Sequence, residues 1–85
     1  MTDEIIDFVI SQLEKKAPVP GGSLVEKQAY RYLEAGHIDS FALTGFIITI
    51  EDRFDIILSP EDMQSDDFRS IGGLAKIVER SMAGH

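Results

Sequence analysis

The chain has no cysteine. This excludes a disulfide framework, a thiolate metal site and a catalytic thiol. Basic residues are also scarce, 8 lysines and arginines against 15 aspartates and glutamates, for a formal net charge of −7. Nucleic-acid phosphates would repel such a chain, whereas basic protein surfaces would attract it at long range. No uninterrupted apolar run approaches the length of a membrane span. Residues 1–8 open with Asp3 and Glu4 and lack a basic region ahead of an apolar stretch, so they do not read as a secretory signal. The expectation is a cytoplasmic protein that neither inserts in membranes nor binds nucleic acid. Repeats and low-complexity segments are missing too.

What remains is a helical pattern. A hydrophobic fraction of 44% over 85 residues suits one small domain, residues 1–85, with a thin core. Ile5, Ile6, Val9, Ile10 and Leu13 recur at helical spacing. They predict a first helix over residues 3–16, capped by Thr2 or Asp3, with Lys15 and Lys16 in its last turn and Phe8 partly exposed. Proline and glycine at positions 18, 20, 21 and 22 end it. Ser23 and Glu26 form a capping-box pattern that locally allows a helix over residues 23–35, ended at Gly36, while the expectation is a short helix within residues 23–29. The rest of a long connection would be anchored by Tyr30, Tyr32 and Leu33, with Gly36 supplying a left-handed turn.

A main helix follows over residues 40–54. At 100° per residue its core face is Leu43, Phe46, Ile47, Ile50 and Phe54. Ile56, Ile57 and Leu58 have no second strand to pair with, and read as a loop docked in the core. Ser59, Pro60, Glu61 and Asp62 start a short helix reaching about Asp67, with Met63 and Phe68 inward. Ser70 caps a last helix with the stripe Ile71, Leu74, Ala75, Val78 and Met82. The fold class is all-α, a small four-helix bundle with a long loop between the first and main helices.

At the head of the main helix stands the run Gly36, His37, Ile38, Asp39, Ser40, Phe41. Asp followed by Ser at a helix start is, by itself, most often a structural cap. Here Gly36 and Ile38 precede it, a large apolar residue follows, and the helix runs on into Glu51, Asp52, Arg53, Phe54, Asp55 and Ile56. With the length, the acidity and the order of helices, this resembles the acyl and peptidyl carrier protein family over most of the chain. The resemblance implies that Ser40 carries a covalent 4′-phosphopantetheine arm, attached by a phosphopantetheinyl transferase from coenzyme A. Asp39 matches the family's acidic residue that helps orient magnesium in that reaction. A phosphodiester at a helix N-terminus would face backbone N–H groups and the positive dipole end. Such a protein performs no chemistry itself. It holds acyl or aminoacyl groups as thioesters and presents them, as a monomer, to a loading ligase and to downstream transferases.

On the same wheel Phe41 and Ile48 point away from the core, with Gly45 between them and Asp52 beside them. Two exposed large apolar groups around a glycine form a candidate partner-docking patch; otherwise Tyr30 or Tyr32 of the long loop would cover them. The chain departs from a typical fatty-acid carrier in having Phe41 after the serine and Ala42 and Gly45 in the first half of the helix. Its acids gather later, at Glu51, Asp52, Asp55, Glu61, Asp62, Asp66 and Asp67. The Asp-Ser-Phe form resembles stand-alone carriers of the D-alanyl and aminoacyl type and carriers of specialised metabolism. The alternative is an unmodified helical adaptor that uses the Phe41–Ile48 face while Ser40 merely caps. An enzyme is disfavoured, because no nucleophile–base or metal constellation exists. His37 reads as a surface loop residue and His85 as terminal. The acids from Asp52 to Asp62 lack the turn glycine of a calcium loop and read as a solvated face. Gly72 and Gly73, in the first turn of the last helix, mean either close packing or a loose end.

Overall fold

The computed structural model describes residues 2–83, and side chains from Asp3 onward. His85 and the side chain of Thr2 lie outside that range. The regular elements among the described residues are all helical, with no strand: α1 (Thr2–Glu14), α2 (Leu24–Gln28), α3 (Ser40–Phe54), α4 (Pro60–Gln64), a 3-10 turn (Asp66–Arg69) and α5 (Ile71–Ala83).

The stripe of α1 is buried as its spacing predicts: Ile5, Ile6, Val9, Ile10 and Leu13 all lie in the core. The helix stops at Glu14, short of the predicted residue 16, because Lys16 and Ala17 both turn their N–H groups onto the Leu13 carbonyl. Lys15 and Lys16 therefore follow α1 and do not belong to its last turn. Half-buried Phe8 meets Phe54 edge-on at 5.5 Å, and Arg53 lies over the Phe8 ring while reaching Glu4 at 2.7 Å. These contacts set α1 and α3 antiparallel, the start of one beside the end of the other. α1 also packs along α5.

α2 is capped by Ser23, whose Oγ accepts from Glu26 N–H, and it ends at Gln28, so the short-helix expectation holds. Beyond it the long connection is pinned by Tyr32, which is fully buried and donates its hydroxyl to the Phe68 carbonyl. Burial raises the Tyr32 pKa well above the usual phenol value. Tyr30 and Leu33 pack half-buried against the same core. Gly36, at φ 73°, takes the left-handed turn.

α3 buries Phe46, Ile50 and Phe54, with Leu43 and Ile47 half-buried at the core's edge. It ends at Asp55 in the left-handed conformation, φ 54°. The next residues alternate: Ile56 and Leu58 are buried, but Ile57 is 83% exposed, so the loop docks two of its three apolar residues and not all three. Glu51 Oε2 accepts the Leu58 N–H at 2.9 Å, which holds that loop against α3.

The predicted single helix through Asp67 is two elements. Ser59 and Asp62 form a reciprocal capping box that starts α4. Ser65 then goes extended, φ −74° and ψ 156°, and the 3-10 turn drops Phe68 into the core at 2% exposure. Met63 is half-buried. Ser70 Oγ accepts Gly73 N–H at 3.1 Å and opens α5. α5 buries Ile71, Leu74, Ala75, Ile77 and Val78, with Met82 partly covered; Ile77 extends the predicted stripe.

The two glycines of α5 resolve to close packing. A Cβ on Gly73 would overlap the Asp67 backbone, 2.7 Å from its carbonyl carbon, and one on Gly72 would meet Gln28 at 3.2 Å. This end of the molecule is tight, contrary to the looseness the glycines would otherwise permit.

Candidate functional site

The head of α3 divides two roles between neighbouring residues. Asp39 is the N-cap: extended at φ −81° and ψ 172°, it accepts Ala42 N–H on Oδ1 at 2.7 Å. Ser40 is the first helical residue, is exposed, and makes no hydrogen bond with the described residues through its hydroxyl. The cap is thus supplied by the aspartate, and the serine hydroxyl has no structural task. Sequence alone could not separate them, since both residues are good caps.

The run before Ser40 is firmly held. Ile38 is buried at 6% exposure. His37 is not a surface residue as expected: it is half-buried, with Nε2 2.8 Å from the Leu13 carbonyl and Nδ1 2.9 Å from Tyr30 Oη. A carbonyl only accepts, so Nε2 carries the proton; in the neutral ring Tyr30 O–H donates to Nδ1. His37 therefore ties the end of α1 to the long connection just ahead of Asp39. That bond spans 24 residues and has no local pattern to announce it.

The outward face of α3 is open. Phe41 is 92% exposed and Ile48 52%, and a Cβ on Gly45 would meet nothing within 4 Å. Together with Ser40 and Thr44 they line a broad depression of about 640 Å³. Neither tyrosine covers it: Tyr32 is committed to Phe68 and Tyr30 to His37. Asp52 is exposed on the same helix.

The later acids are less uniformly solvated than expected. Glu51 holds the Leu58 N–H and Asp62 caps α4, lying 3.9 Å from Arg80. Asp66 and Glu34 both bind Arg31, at 2.7 and 2.9 Å. The hydrogen bonds from Arg31 hold both carboxyls below their ordinary range and raise Arg31 in turn. Asp52, Asp55, Glu61 and Asp67 are exposed. No helix among the described residues is long and apolar enough to cross a membrane. No protein-family model, no curated protein and no solved structure matches the chain.

Proposed function

We propose that this protein is a carrier of the acyl and peptidyl type, holding acyl or aminoacyl groups as thioesters on a 4′-phosphopantetheine arm at Ser40. One observation carries the reading. Asp39 performs the capping, so an exposed and unengaged hydroxyl is left at the first position of a long helix. The residues present suit the group. The N–H groups of Ser40 and Phe41 have no partner inside the helix and face the place where a phosphodiester would sit. Exposure lets a transferase reach the oxygen, and the ordered run from His37 to Asp39 fixes its position. When bound, the arm supplies a thiol that carries cargo as a thioester; the chain itself only positions it.

In this reading α1, α3 and α5 are the long helices of a four-helix bundle, α4 with its 3-10 turn is the short one, and α2 lies in the long loop. Phe41, Gly45 and Ile48, with Asp52 beside them, receive the transferase, the loading ligase and the downstream transferases. The apolar character near Ser40 favours a specialised pathway. An unmodified adaptor would use the same face, and modification separates the two. Incubation with coenzyme A and a promiscuous phosphopantetheinyl transferase should raise the intact mass by one arm. An unchanged mass would favour the adaptor.

A further inference from the structure

The depression on the outward face of α3 is lined by Ser40 itself, together with Phe41, Thr44, Gly45 and Ile48. Any group attached to Ser40 is therefore tethered at its edge. Ser40, Thr44 and Ile48 follow one another at i, i+4 and i+8, and Gly45 leaves the space between Phe41 and Ile48 open. Thr44 is exposed, and its hydroxyl makes no hydrogen bond with the described residues, whereas the Thr49 hydroxyl donates to the Gly45 carbonyl at 2.8 Å. Side chains four apart on a helix have Cβ atoms about 5–6 Å apart, and they lean toward its N-terminus, so Thr44 leans toward Ser40. With a 1.5 Å rise per residue, Ile48 is about 12 Å along the helix axis from Ser40. A pantetheine chain reaches further than that. Ile57, also exposed, lines a separate depression with Phe54, Asp55, Ile56 and Met82, beyond the far end of α3.

We propose that the arm, once attached, rests along this depression, with its phosphodiester beside the Thr44 hydroxyl and its dimethyl and methylene groups over Gly45, between Phe41 and Ile48. The proposal rests on the carrier reading. A tether this short holds the arm at an effective concentration on the order of millimolar, so weak contacts are enough to seat it. The contacts on offer match the arm in order. A hydroxyl donor stands beside the anionic link, and apolar walls flank the dimethyl carbon that follows. The thiol end lies past Ile48 and stays free for cargo. Because the seat is also the docking face, loading changes what partners meet. The transferase finds the face bare and leaves it covered, which favours its release. The ligase and the downstream transferases lift the arm as they dock.

The test is NMR of the full chain loaded from coenzyme A, with complete attachment read separately by intact mass. Isotope-filtered spectra should show cross-peaks from the dimethyl protons of the arm to the Phe41 ring and the Ile48 methyls. Those arm protons should have lines as broad as the helix's own. Gly45→Gln, which fills the floor without adding charge, should abolish the cross-peaks and sharpen the arm. Thr44→Val should move the phosphorus resonance, and Thr44→Ser should leave it in place. Sharp arm lines in the wild-type chain with amide changes confined to residues 39–41, cross-peaks to any other face, or a phosphorus resonance indifferent to Thr44→Val would overturn the seat and leave the carrier reading intact. A chain that takes up no arm at all overturns both.

Discussion

At the scale of single residues the account turns on which of two adjacent caps is used. Asp39→Ala should cost about 1 kcal/mol, the usual loss of an N-cap, whereas Ser40→Ala should stay within about 0.5 kcal/mol of wild type, as expected at an exposed position with no hydrogen bond. Denaturant unfolding of both variants measures this, and a larger loss for the serine would return it to a structural role. The glycines give opposite signs. Gly45 sits in mid-helix with open space around it, so Gly45→Ala should stabilise by about 1 kcal/mol while hindering close approach of a partner. Gly73→Ala drives a methyl into the Asp67 backbone and should destabilise by about 1–3 kcal/mol. Equal signs in melting experiments would contradict one of the two packing assignments.

Between elements, the long connection is fastened to the 3-10 turn by Arg31, which binds Glu34 and Asp66, and by Tyr32 on Phe68. The two carboxyls titrate lower in the native protein than in the unfolded chain. The native state thus binds fewer protons, and their contribution is complete above the ordinary carboxylate range and fades as pH falls through the depressed values. Arg31→Gln should therefore flatten the acid limb of the stability–pH curve; an unaltered limb would show that these exposed pairs add nothing. Much of this scale was legible in the sequence. The five apolar positions of α1 all bury, and α3 begins and ends where its cap and stripe place it. The break after α4 was not legible, because Ser65 leaves the helix only so that Phe68 can reach a core assembled from distant segments. His37 escaped for the same reason, since its partners are Leu13 and Tyr30 and no local spacing encodes them. Ser40 was legible as a candidate, but its freedom from capping required the geometry of Asp39.

For the whole molecule, the tightness around Gly73 and Tyr32 bears on cargo. The core side chains Val9, Leu13, Tyr32, Ile50, Ile71, Leu74 and Val78 are fully covered, and the larger depressions are open surface grooves. A long acyl chain would have to part α4 and the 3-10 turn from α5, where the backbones are in contact. A short acyl or aminoacyl cargo should therefore leave the core methyl resonances nearly unmoved. Widespread methyl shifts and a raised melting temperature with a long chain would restore a fatty-acyl role. The central claim, that Ser40 bears the arm, is tested most directly by tandem mass spectrometry of the wild-type chain after reaction with coenzyme A and a phosphopantetheinyl transferase. The account predicts a single arm, located on Ser40. An arm on any other residue, or none on a folded chain, would contradict it.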